Sequence, residues 1–159
     1  MRSKYTWFIL IVIVGIGLIA VLKFTPTPPS GEPVTLLGTT VPPVPTSNPE
    51  WIAQGEVLYA QFCASCHGAN LEGVPDWKRV QEDGSYLPPP HDISGHTWHH
   101  PDDLLLTITA GGGDLPNSKM PAFDGVLTEQ AMRAVLEFIK SNWEQEEREY
   151  QWWITAIDQ

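Results

Sequence analysis

Cys63-Ala64-Ser65-Cys66-His67 is the stretch that decides how this chain is read. The spacing C-x-x-C-H is that of a c-type haem attachment site. Two thiols at i and i+3 on one helical turn each reach one vinyl group of the macrocycle, and the histidine beside the second thiol is then held under the iron. Three other readings compete for the same letters. A thioredoxin-like pair belongs to a βαβ pattern, which the chain lacks, and a closed zinc site needs a second pair of ligands at fixed spacing. A structural disulfide or metal knuckle is the remaining alternative. Cys63 and Cys66 are thus expected to anchor one haem c covalently, with His67 as its proximal axial ligand.

Working outward, the motif is expected at the end of a helix. Asn48 is a suitable N-cap, with Pro49 at the first helical position and Glu50 in the first turn. Trp51, Ile52, Gly55, Leu58, Tyr59 and Phe62 then recur at helical spacing. A glycine inside a helix costs about 1 kcal/mol relative to alanine, so Gly55 predicts the close crossing of another helix, near Tyr59 and Phe138. That partner is expected after Thr128, a second N-cap, with Met132, Val135, Leu136, Phe138, Ile139 and Trp143 on its apolar face. Between the two, a helix starts at Pro101, carries Asp102 and Asp103 at its positive end, and stops at Gly111-Gly112-Gly113.

The iron needs a ligand on its second face, or else stays open there. The chain has 3 methionines. Met1 starts the chain, and Met132 lies in an apolar helix stripe, where methionine is usually core filler. Met120, in the loop sequence Lys119-Met120-Pro121-Ala122-Phe123, is the candidate distal ligand, with a histidine or an open site as alternatives. Four of the 5 histidines lie between Leu87 and Pro101: His91, His96, His99 and His100. They suit hydrogen bonding to propionates or backbone, or else transition-metal binding. Trp98, with Trp77 and Tyr86, is a candidate donor to a propionate or a wall of the pocket.

Farther out, Trp7 to Leu22 carries no charge and, with its flanks, approaches the roughly 20 residues that cross a bilayer. Arg2 and Lys4 precede it, so the positive-inside rule leaves the N-terminus in the cytoplasm and the rest outside. Residues 1–24 are read as an uncleaved signal anchor, the alternative being a cleaved secretory signal. Residues 25–47 follow as a proline-rich linker, extended in the manner of polyproline II. Its apolar interruption, Val34-Thr35-Leu36-Leu37, is expected to pack on the domain or a partner, or to be a plain loop. Residues 48–143 form the haem domain, and 144–159 an acidic and aromatic extension that either docks a partner or lays back on its own domain.

Residues 48–159 hold 18 of the 19 acidic residues and six of the 9 basic ones, a net charge of −12. That excludes nucleic acid as a partner and opposes docking on anionic lipid.

These features together resemble a membrane-anchored class I cytochrome c, the resemblance covering roughly Asn48 to Trp143. It implies an all-α fold around one covalent haem, preceded here by a single transmembrane helix and a linker. It further implies Cys63 and Cys66 as thioether positions, His67 as proximal ligand and Met120 as distal ligand. A prolyl carbonyl of Pro88 or Pro89 would accept the Nδ1 hydrogen of His67. With both axial positions filled by protein, the expected activity is one-electron transfer rather than enzyme catalysis. The expected setting is the periplasmic side of the inner membrane, beside redox partner proteins, among them subunits of a respiratory or photosynthetic complex. A haem enzyme or gas sensor with an open site, and a histidine-based metal-handling module, are the alternatives.

Overall fold

The computed structural model describes residues 31–113 and 115–158. The expected membrane anchor and the start of the linker lie outside the described residues. Among the described residues no helix is long and apolar enough to cross a membrane.

Strands β1 (Val34–Leu36) and β2 (Thr39–Val41) pair antiparallel with Thr35 opposite Thr40. Helices follow in the order α1 (Pro49–Phe62), the single turn α2 (Ala64–His67), α3 (Asp102–Gly111), α4 (Glu129–Ser141) and α5 (Gln145–Ile157), with a 3-10 turn at Thr97–His99 before α3. The helix signals hold. Asn48 Oδ1 accepts from the Glu50 N–H at 2.8 Å, and Thr128 Oγ1 accepts from Ala131 N–H at 3.2 Å. α3 begins one residue after Pro101 and ends on Gly112, whose φ of 84° no side-chain-bearing residue adopts without strain.

α1 and α4 form the spine. They cross at Gly55, where an added Cβ would land on the Ala134 carbonyl and on Phe138. Just below, the rings of Tyr59 and Phe138 meet at 5.4 Å. Two apolar clusters flank this crossing. One joins Tyr59, Leu71, Val135, Ile139 and Trp143; the other joins Phe123, Leu127, Ala131 and Met132, and Leu58 of α1 touches both. Met132 is 7% exposed, a core residue as its place in the stripe suggested.

The expected all-α fold therefore gains a β-hairpin. Residues 34–41, grouped with the linker on sequence grounds, pack with Val34 and Val41 against Trp153 of α5 in a third cluster. Trp153 Nε1 donates to Thr39 O at 3.0 Å and Trp152 Nε1 to Pro42 O at 2.7 Å. α5 also faces inward through Gln151, 2% exposed, which donates to Asp102 Oδ1 at 2.6 Å. Lys140 of α4 holds the same carboxylate at 2.6 Å. Of the two readings of the C-terminal extension, the structure shows the one in which it lays back on its own domain. Trp153→Ala will therefore destabilise the protein by about 3–5 kcal/mol, the usual cost of truncating a buried aromatic, read as a lower urea midpoint.

Candidate haem-binding site

α1 runs into the motif without a break. The Cys63 N–H still bonds to Tyr59 O at 2.9 Å, and the N–H of His67 turns back to Cys63 O at 2.9 Å, closing α2. Both thiols and the imidazole thus stand on one rigid turn. Gly68 ends it at φ 83°, where a Cβ would meet the Glu72 carboxylate. Cys63 is half-buried and Cys66 exposed. Burial, with the neighbouring Cys66, pushes the Cys63 thiol up to about 11, so it remains protonated at neutral pH.

His67 is buried, and its Nδ1 lies 2.8 Å from the Pro89 carbonyl. A carbonyl only accepts, so Nδ1 carries the hydrogen and Nε2 keeps its lone pair for a metal. Burial lowers the pKa of the ring, which works against the raising effect of the Pro89 bond and favours the neutral form that binds iron. The acceptor is Pro89 and not Pro88: the Pro88 carbonyl is taken by the Val74 N–H at 3.0 Å. Pro88, named on sequence grounds as a site residue, instead tethers the segment carrying Pro89. Tyr59 OH donates to His67 O at 3.5 Å, and burial raises its pKa, so it stays a phenol.

The histidine-rich segment supplies a neighbour that sequence reasoning did not single out. The ring of His91 stacks on that of His67, centroids 4.0 Å apart and planes 18° apart. Burial, then the nearby His67 and His96, drive the His91 pKa well below its usual value. Its carbonyl accepts from Trp143 Nε1 at 2.8 Å. His96 stacks on Trp77 at 4.9 Å. Among the described residues no three His, Cys, Asp or Glu side chains converge to hold a metal ion, which leaves the metal-handling alternative without a site there.

Met120 is half-buried and packs against the second cluster together with Leu58, Phe62, Leu106 and Ala110. Its loop is drawn tightly to the end of α3, since a Cβ on Gly112 would meet Met120 O and Ala122 N. The loop is also pinned from the side. Lys119 Nζ bonds Asp83 at 2.9 Å, and Asn117 Nδ2 donates to Asp83 O at 3.1 Å. The Lys119 ammonium, and then the Ser85 hydroxyl, hold the Asp83 carboxyl far below the usual carboxylate range. A carboxyl depressed in this way supports the fold above the ordinary Asp pKa and loses that support only as pH falls through its own, lower value. The Asp83 carboxyl NMR shift will thus remain that of a carboxylate at about pH 3, where a free Asp is mostly protonated. Asp83→Asn will speed tryptic cleavage after Lys119 several-fold at neutral pH.

The residues fit a haem. Trp98 joins the first cluster, yet its Nε1 is buried with no hydrogen-bond partner among the described residues, a donor suited to a propionate oxygen. α3 is apolar along Leu104, Leu105, Leu106 and Ile108, yet has no fully buried residue, as befits the wall of a pocket for a flat apolar ligand. Tyr86 is 43% exposed and Trp77 is engaged with His96, so Trp98 is the best placed of the three aromatic candidates.

The Cytochrome c family model matches residues 52–143, more than half of the chain. The comparisons with curated proteins and with solved structures return no match.

Proposed function

The chain belongs to the cytochrome c family, whose members carry covalently attached haem c, and from that premise we propose that it is a one-electron carrier with His67 and Met120 as axial ligands. When bound, the haem supplies an iron that exchanges between ferric and ferrous states. The rest is the work of the chain. Cys63 and Cys66 would fix the macrocycle to α2, and the Pro89 carbonyl holds His67 in the tautomer that leaves Nε2 free to bind iron. Met120, on a loop braced by Asp83 and Gly112, would hold the iron from its second side, which would exclude oxygen and peroxide and keep ligand movement small. Leu105, Leu106, Phe62 and Met132 keep the surroundings apolar. His/Met ligation raises the reduction potential.

The observation that carries this reading is the 2.8 Å contact of His67 Nδ1 with Pro89 O, which puts the hydrogen on Nδ1 and leaves Nε2 the lone pair that an iron would need. The test is the ferric and ferrous absorption spectrum of the purified protein beside Met120→Ala. The wild type is expected to be low-spin with the near-infrared charge-transfer band of methionine sulfur on ferric haem, and not to bind carbon monoxide readily. Met120→Ala will lose that band, bind carbon monoxide and fall in potential. A wild type that is already high-spin would mean an open site, and with it catalysis or gas sensing.

The charge-free run Trp7–Leu22 with Arg2 and Lys4 before it supports a tether to the outer side of the inner membrane. A tether there raises the effective concentration of the haem domain for redox partners, among them subunits of membrane complexes. Resistance of the full chain to alkaline carbonate extraction checks this; release into the soluble fraction would leave a diffusible carrier.

A further inference from the structure

The hydrogen bond to Pro89 fixes one corner of the His67 imidazole but leaves its plane free to swing about that corner. We propose that His91 is the positioning residue that removes this freedom and so sets the orientation of the axial ligand, an inference that rests on His67 being that ligand. The two rings lie face to face at 4.0 Å and within 18° of parallel, so any rotation of one plane drives its edge into the other. His91 is itself held from three sides. Its N–H donates to Leu71 O at 2.8 Å, its carbonyl accepts from Trp143 Nε1 at 2.8 Å, and Tyr59 abuts its ring edge-on at 5.8 Å. Trp143, just past the end of α4, is fully buried in the cluster with Tyr59 and Ile139, so the brace runs from that cluster to the ligand.

The plane of an axial imidazole relative to the macrocycle governs the anisotropy of the ferric EPR signal, which gives a readout that mere packing would not move. The haem-loaded full chain is compared with His91→Phe, which keeps a flat face, and His91→Leu, which keeps the bulk without one. Phe is expected to preserve the g-values and line width, while Leu broadens or splits the low-spin signal and lowers the potential. Trp143→Phe, which removes the indole N–H that fixes the His91 backbone along with part of the buried ring, should broaden the signal as well. A Leu variant indistinguishable from wild type, or a Phe variant altered as much as Leu, would overturn the assignment. If the Leu variant does not hold haem, an unaltered Trp143→Phe signal overturns it and a broadened one supports it. A wild type lacking the low-spin signal would instead mean that Met120 leaves the distal site open, a failure of the proposed function visible before any variant is made.

Discussion

A chain in which Cys63 and Cys66 are both serine will hold no haem through denaturation. The thioether forms when a thiol adds across a vinyl double bond, sulfur to one carbon and hydrogen to the other; a serine hydroxyl does not add in this way. The double variant is therefore expected to lack the mass of one haem and to give no haem stain on a denaturing gel, where the wild type gives both. The single variants will differ. Cys66 is exposed, so Cys66→Ser removes a bond and little else, whereas Cys63 packs against the Tyr59 cluster. Cys63→Ser places a hydroxyl there and will lower the unfolding midpoint as well.

Gly55→Val will give no stably folded protein. Ordinary overpacking costs about 1–3 kcal/mol because neighbouring side chains shift. Here the obstacle is the Ala134 carbonyl, together with the Phe138 Cβ, and neither moves without displacing α4. The crossing would have to open, pulling Tyr59 from Phe138 and breaching both clusters at Leu58. Against a total stability of about 5–15 kcal/mol for a typical domain, that loss is expected to abolish the cooperative thermal transition in circular dichroism. Gly55→Ala meets the same carbonyl with its one added carbon and will fold, if at all, with a sharply lower midpoint.

The sequence carried the spine and the anchors because each rests on a local signal. Asn48 and Thr128 cap by reaching their own next residues, Gly55 marks a helix crossing by its missing side chain, and C-x-x-C-H contains its geometry in its spacing. What it did not carry depends on partners far along the chain. Nothing near His91 says that its ring will lie on His67, and nothing near Asp83 says that Lys119 and Asn117 will find it. Pro88 and Pro89 are adjacent and alike; only the Val74 N–H taking one carbonyl leaves the other to His67. The hairpin did leave a trace, since Leu37-Gly38 separates two short β-prone runs. Its two turn residues both take positive φ, 49° and 81°, as the type I′ hairpin turn requires. Leucine seldom adopts that conformation, and the surrounding prolines masked the rest.

The clasp of the hairpin on α5 also sets an order of events in time. The bond from Trp153 to Thr39 closes a separation of 114 residues and that from Trp152 to Pro42 one of 110. A chain made at about 5–20 residues per second leaves the hairpin waiting for its partner for roughly 5–20 s. For most of that interval α4 is not yet in place, α1 has nothing to cross, and the thiols of the motif stand open. Closure waits for Trp152 and Trp153, so the docking of α5 on the hairpin is the latch that completes the fold.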